Sequence, residues 1–195
     1  MKMRYIPILG GTIAAVVVLS ATWLAPFMPT QADLSPEETA LLVEWTKVGD
    51  PLAVQRMLEH GACVEAVNKE GVSALMIAAG EGHLDVVKVL VMHKARVNAT
   101  NDAGDTSLHF AVRHNHPEIA AYLLENGAAV DARNKKGVTP LMIAAWSGFD
   151  RLVQQLLAAG ADVELVDEEG NKAATHAREV HDPAVREVIL KLLGA

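Results

Sequence analysis

The sequence predicts an all-α solenoid in which about five copies of a two-helix repeat are stacked from residue 33 onward. Glycines recur at a constant 33-residue interval, at Gly71, Gly104, Gly137 and Gly170, and several leucines and alanines keep the same interval. The chain is 51% hydrophobic but only 4% aromatic, so its core must consist of small aliphatic side chains, which suit closely packed helices. This period is typical of stacked repeats, which bury their apolar faces only against their neighbours.

Residues 1–32 differ from the rest of the chain, and their layout predicts a secretory signal peptide. Lys2 and Arg4 precede an uncharged apolar run over residues 6–25, and the small residues Thr30 and Ala32 fit the −3 and −1 positions of a cleavage site after residue 32. Removal of this segment, with its two cationic residues, would change the net charge from −7 to −9. The alternative is an uncleaved membrane anchor, because a run of this length can just span a bilayer. Both forms place residues 33–195 outside the cytoplasm.

The first repeat is predicted at residues 35–67, where signals for two helix starts occur. The motif Ser35-Pro-Glu-Glu38 is a capping box with Pro at the first helical position, and Asp50-Pro51 begins a second helix in the same way. Trp45 occupies the slot that Ala78 fills in the second repeat. A side chain of this size does not suit an internal repeat, so we expect Trp45 to lie over the open end of the stack.

The fourth repeat illustrates how an internal repeat is expected to fold. Residues 134–137 (Asn-Lys-Lys-Gly) predict a tight turn. Thr139-Pro140 then begins a helix, since a threonine hydroxyl caps free amides and proline needs no donor at the first position. A second helix follows Gly148 and ends at Gly160. Four aliphatic residues are expected on its buried face: Leu152, Val153, Leu156 and Leu157.

The 33-residue interval divides the rest of the chain into repeats at 68–100, 101–133, 134–166 and 167–195. The last of them departs from the pattern, because residues 172–175 (Lys-Ala-Ala-Thr) replace the usual helix start. We therefore predict three regular repeats between two terminal ones, in which the terminal repeats close the ends of the stack.

The third copy, NDAGDTSLHFAVRHNHPEIAAYLLENGAAVDA, and the fourth, NKKGVTPLMIAAWSGFDRLVQQLLAAGADVEL, closely resemble the ankyrin-repeat pattern of a turn, T-P-L-H, a G-H step and a Val/Leu-rich helix. The chain as a whole resembles small exported bacterial ankyrin-repeat proteins, some of which accompany catalases. The resemblance implies that His109 stands for the histidine of T-P-L-H, whose ring ties the turn to the helix. It also implies protein partners, which bind along the turn tips and the exposed side of the first helices.

Several classes of function are excluded by composition and by missing motifs. The net charge of −7 and the lack of a Lys/Arg block argue against nucleic-acid binding, which needs a basic stripe. No nucleophile elbow, zinc-protease motif or phosphate-binding glycine loop occurs. We therefore expect no catalytic residues, no metal, no cofactor and no enzymatic activity.

The eight histidines and the single cysteine are the residues that leave another chemistry open. His60 and His93 share one repeat slot, and His83 and His116 share another. Ligands in neighbouring repeats would lie about 8 to 10 Å apart, too far to share a metal ion. Cys63 is expected to be a partly covered inert thiol, with a reactive thiol or an intermolecular disulfide as the alternative.

The acidic turn at residues 167–169 (Asp-Glu-Glu) lacks the oxygen-ligand spacing of a calcium loop. It is therefore expected to be a solvated turn.

The partner-facing positions that the resemblance implies include Asp105, Lys135 and Lys136. From the whole set we select eight candidates for the protein-binding surface: Trp146, Val138, Val166, Arg113, Arg133, His114, Val72 and Glu81. Trp146 is the proposed anchor because its slot holds Gly80 and Arg113 in the two preceding repeats and so is not a core position. Tryptophan and arginine are also the residues most enriched at interface hot spots. The alternative is that Trp146 folds back over its own repeat, into space left by Gly80 or along the Arg113 stem.

These observations predict a monomeric, non-enzymatic protein-interaction module in the periplasm, or held to the inner membrane by its N-terminal segment. The resemblance suggests that it assists a redox enzyme such as a catalase in peroxide resistance. Two alternatives stay open: an inhibitor or immunity protein for an exported enzyme, and a protein that handles haem, metal or thiols through its histidines and Cys63.

Overall fold

The computed structural model describes residues 36–195, with side chains described from residue 41 onward. The predicted signal peptide or anchor and Ser35 of the predicted capping box lie outside this part. Within it the chain forms ten helices and no strand, and only an isolated bridge joins Val67 to Ser73. The helices are α1 Pro36–Val48, α2 Pro51–Glu59, α3 Ala74–Glu81, α4 Leu84–Met92, α5 Ser107–Arg113, α6 Pro117–Glu125, α7 Pro140–Ser147, α8 Asp150–Ala158, α9 Ala173–Ala177 and α10 Pro183–Leu192.

These helices form five successive pairs, which confirms the all-α solenoid. The first helix of each pair packs on the first helix of the next, and the second helices form a parallel row in the same way. The repeated leucines lie between the rows: Leu90, Leu123 and Leu156 have no exposed surface. Burying one such side chain contributes about 1.5–3 kcal/mol. Leu157, expected in the buried face of α8, is only half-buried at the edge of the core.

A turn precedes the first helix of each internal repeat, and one side chain holds it together. In the fourth repeat the Asn134 Oδ1 accepts the backbone N–H groups of Lys136 and Val138, each at 3.0 Å. Asn68, Asn101 and Asp167 do the same in their own repeats. The turns also contact one another, since Lys135 N donates to Ala103 O at 3.0 Å. The tips therefore form a hydrogen-bonded row along one edge of the solenoid.

The helices after the second, third and fourth turns begin with a capping box, whereas Lys172 before α9 makes no side-chain cap bond. In the fourth repeat Thr139 Oγ1 accepts from Met142 N at 3.3 Å, and Met142 Sδ accepts in return from Thr139 N at 3.4 Å. His109 replaces methionine in the third repeat, where its Nδ1 accepts from Thr106 N at 3.1 Å. Its Nε2 donates to Val138 O, also at 3.1 Å. The predicted structural role of His109 is confirmed, and the ring additionally links the third repeat to the fourth.

Both ends of the described stack depart from the regular repeat. Trp45 is half-buried and packs against the core at the first repeat, consistent with its expected place over the open end. At the other end α9 has only five residues, and Ala173 and Ala177 are its buried contacts. No helix among residues 36–195 has the length and apolar character needed to cross a membrane.

The prediction of a solvated acidic turn at residues 167–169 is wrong for its first residue. Asp167 is 8% exposed, and its Oδ2 accepts a hydrogen bond from His176 Nε2 at 2.9 Å. Burial acts to raise the pKa of the Asp167 carboxyl, but hydrogen bonds from Asn171 N, His176 and Glu169 N outweigh it and leave that pKa below its usual value. Asp167 takes the turn-closing position that half-buried asparagines hold in the second, third and fourth repeats.

Candidate protein-binding surface

An open groove of 490 Å³ runs along the third, fourth and fifth repeats, between the turn tips and the first helices. Its floor is apolar and comes mainly from the start of the fourth repeat and from α7: Val138, Met142, Ile143 and Trp146. Arg113 and Asp105 form the wall on one side, and His176 lies on the other. Lys135 and Lys136 of the fourth turn form the rim. Three of the eight predicted candidates, Trp146, Val138 and Arg113, therefore lie together.

Trp146 is the most exposed residue of this groove floor, with 61% of its surface in contact with solvent. It stands near the end of α7, directly after Ala144 and Ala145, which have no exposed surface. The space at Gly80 is already occupied, because a Cβ there would lie 3.3 Å from Phe110 Cδ1 and 3.7 Å from His114 Cδ2. The indole is therefore exposed and does not fill space at Gly80, the first part of the alternative for Trp146.

Arg113 is held in place as a rigid wall of the groove. Its Nη1 lies 2.9 Å from Asp105 Oδ2, and its guanidinium carbon lies 5.8 Å from the centre of the Phe110 ring. Asp105 Oδ1 also accepts from Asn134 Nδ2 at 2.9 Å. Burial acts to raise the pKa of the Asp105 carboxyl, but the hydrogen bonds from Arg113 and Asn134 and the charge of Arg113 lower it below its usual value. The charge of Arg113 is thus already balanced within the protein.

The same polar network reaches the buried histidine behind the groove. Burial lowers the pKa of His109 below its usual value, against the opposite effects of the Val138 carbonyl and of the charge on Asp105. A neutral ring can both accept from Thr106 N and donate to Val138 O, as the geometry requires. His109 therefore supports the position of Val138 without entering the groove.

The other five candidates lie apart from the groove. Arg133 Nη2 donates to Val166 O at 2.7 Å, and these two residues meet at the base of the neighbouring turns. Val166 is 37% exposed, and His114 and Glu81 are exposed at the ends of α5 and α3. Val72 is only 7% exposed, so its selection as a surface residue is wrong.

Val72 and Asp105 occupy the same position of their repeats, and both are buried there. Each stands directly before the helix cap, and its backbone N–H is bound by the asparagine that opens the turn, at 2.9 Å in both cases. Val138 makes the same bond at 3.0 Å and is only half-buried, so the bond does not by itself bury the residue. Asp105, also expected at the exposed tips, is 5% exposed.

Met142, Ile143 and His176 also line the groove, and none of them is among the sequence candidates. A signal for two of them exists in the sequence. Ile143 precedes Trp146 by three positions on one helix, and such residues share a face. His176 follows Ile143 by one full repeat, so both occupy the same slot in adjacent repeats.

Two of the histidines considered for metal or haem binding make contacts between repeats. His83 Nε2 lies 3.1 Å from Lys47 O, and His116 Nε2 lies 2.9 Å from Gly80 O, so both rings bind the backbone of the preceding repeat. Across residues 36–195 no three histidine, cysteine or acidic side chains are grouped closely enough to hold a metal ion. Cys63 is an exposed thiol, not a partly covered one.

Comparison with known families agrees with this architecture. The family model described as ankyrin repeats (3 copies) matches residues 23–101, 42–134 and 97–167 in overlapping segments. The chain belongs to the ankyrin-repeat family. Its repeats make it a protein–protein interaction module.

Among curated proteins, the chain is similar to the mouse inactive serine/threonine-protein kinase TEX14. The two are 46% identical over 52 residues, which is 27% of this chain. The matched part spans about 4% of that protein's length. The likeness is therefore confined to a short stretch of both proteins.

Proposed function

We propose that this ankyrin-repeat protein is an exported, non-enzymatic adapter that holds a partner protein in the groove of its third to fifth repeats. The observation that carries the proposal is Trp146, which is 61% exposed and lines the groove beside apolar residues. An exposed indole keeps a large apolar surface in contact with water, which is unfavourable in free energy unless a partner covers it. Beside it, the ion pair with Asp105 already orders the Arg113 side chain. Binding of a partner therefore costs little further conformational entropy at this wall of the groove.

Export and the nature of the partner are further parts of this proposal. The charged start, the apolar run at residues 6–25 and the small residues before position 33 support transfer to the periplasm. We propose a redox enzyme such as a catalase as the partner, on the resemblance to small signal-bearing bacterial ankyrin proteins. A non-enzymatic role is supported by the ankyrin-repeat fold, which is typically a non-enzymatic interaction module.

The proposal is tested by removing the indole and measuring partner capture. Tagged full-length protein carrying Trp146→Ala would be crosslinked in intact cells of its host and recovered from the envelope, beside wild type. Met92→Ala is the matched control, because Met92 is 63% exposed but lies at the end of α4, outside the groove.

We expect Trp146→Ala to weaken the partner's binding by about 30-fold, the ratio that corresponds to a hot spot of about 2 kcal/mol. Met92→Ala should bind as wild type does. The melting temperature of both variants should stay close to that of wild type. If Trp146→Ala lowers the melting temperature by several degrees while partner capture is undiminished, Trp146 stabilises the fold instead of binding the partner. That result would refute the proposal.

A further inference from the structure

The sign of the charge alternates from the third to the fifth turn tip, whereas the second tip carries one lysine and one glutamate, Lys69 and Glu70. The third tip carries Asp102 beside Ala103, the fourth carries Lys135 and Lys136, and the fifth carries Glu168 and Glu169. In a chain with a net charge of −7, a pair of adjacent cations at the rim of the groove is a local exception. Acidic tips stand on either side of it.

These two lysines are the cations of the groove that remain available to a partner. Arg113 is paired with Asp105 at 2.9 Å. Lys135 and Lys136 are exposed, and among the residues with described side chains neither has a carboxylate oxygen within 4.0 Å. Their backbone groups are fixed, since Lys135 N donates to Ala103 O and Lys136 O accepts from Glu168 N.

We propose that the groove recognises a protein segment in which a carboxylate side chain stands within a few residues of a large apolar side chain. The inference rests on the proposed function and adds the chemistry of the partner to it. The apolar side chain covers Trp146 and Ile143 on the floor, while the carboxylate meets the lysine pair on the rim. Both groups of the groove line the same 490 Å³ space.

The neighbouring tips limit how much negative charge the partner segment carries. Adjacent repeats lie about 8–10 Å apart, as packed helices do, which is close to the screening length at physiological ionic strength. A carboxylate at the fourth tip is attracted, whereas a second one opposite Asp102 or the Glu168–Glu169 pair is repelled. The surface thus selects an isolated acidic position and disfavours polyanions such as nucleic acid or an anionic membrane.

The test uses full-length protein, in detergent if it retains residues 1–32, as the target for a phage-displayed library of random 12-residue peptides. We expect the selected peptides to carry Asp or Glu within about three residues of Phe, Leu, Ile or Trp. The double variant Lys135→Glu with Lys136→Glu should bind these peptides about 5- to 30-fold more weakly, with a salt-dependent difference, because exposed ion pairs each contribute a few-fold to affinity. Lys69→Glu, at the second tip and outside the groove, is the control and should bind them as wild type does.

Several outcomes would overturn the inference. They are a selection without acidic enrichment, recovery of no binding peptide, unchanged binding by the double lysine variant, and tighter binding of poly-glutamate, duplex DNA or phosphatidylglycerol vesicles. The partner captured from cells separates this inference from the proposed function. If Trp146→Ala loses that partner and the double lysine variant keeps it at full affinity, the groove remains the binding site and only its proposed charge preference is refuted. If Trp146→Ala keeps the partner, the proposed function itself fails.

Discussion

Gly104→Ala should destabilise the protein by about 2–4 kcal/mol, far more than the same substitution at Gly127, although both glycines belong to the third repeat. Both backbones are in the left-handed region that favours glycine, with φ of +82° at Gly104 and +86° at Gly127. They differ in their surroundings. A Cβ on Gly104 would lie 2.7 Å from Lys135 N of the next repeat, whereas a Cβ on Gly127 meets nothing within 4 Å.

The expected magnitude follows from adding the costs that apply at each site. A non-glycine residue in the left-handed region costs about 1–2 kcal/mol, offset by about 0.4–1 kcal/mol because alanine stiffens the unfolded chain. Gly127→Ala should therefore cost about 1 kcal/mol or less. At Gly104 the new methyl also pushes Lys135 N away from Ala103 O, a 3.0 Å bond between the two turns. Loss of such a bond and overpacking add about 2 kcal/mol.

Urea unfolding followed by far-ultraviolet circular dichroism measures both variants against wild type. The informative quantity is the difference between the two variants, since the backbone strain common to them cancels. The lost bond and the overpacking then leave an expected difference of about 2 kcal/mol. Equal destabilisation by the two substitutions would refute the close approach of the third and fourth turns, and with it the stacking register.

Four further outcomes are expected. His109→Ala should cost about 2–4 kcal/mol through a cavity and lost hydrogen bonds, while His109→Met, which restores the residue found at this cap in the repeats on either side, should cost only about 1 kcal/mol in the same urea assay. Because the pKa of His109 is lower in the folded than in the unfolded state, the unfolded chain binds more protons, so the free energy of unfolding should fall as the pH decreases below about 6.5; a pH series on His109→Met should show a smaller fall. Lys94 is a non-glycine residue with φ of +69°, so Lys94→Gly should raise the free energy of unfolding measured in urea by about 0.5–1 kcal/mol. The intact mass of protein isolated from the cell envelope should correspond to residues 33–195. Recovery of the protein from the cytoplasm would contradict export.

The stacking itself could be predicted from residues that act locally. The turn at residues 134–137, the cap at Thr139 and the helix end near Gly160 depend on contacts within a few positions of the chain. Since these signals recur at a constant interval, the all-α repeat architecture could be predicted. The exposure of Trp146 could also be predicted, because its slot holds glycine and arginine in the two preceding repeats.

Other features depend on the approach of one repeat to the next. Val72, Asp105 and Val138 share one slot, yet the first two are buried and the third is half-buried in the groove floor. The family resemblance predicts that His109 ties its own turn to its own helix, but its bond to Val138 O joins residues 29 positions apart. The pairing of Arg113 with Asp105, which leaves Lys135 and Lys136 as the groove's available cations, is likewise invisible in the pattern. Turns and caps are local, so the amino-acid order alone specifies which elements form, whereas burial and charge balance belong to surfaces that exist only once neighbouring repeats are in contact.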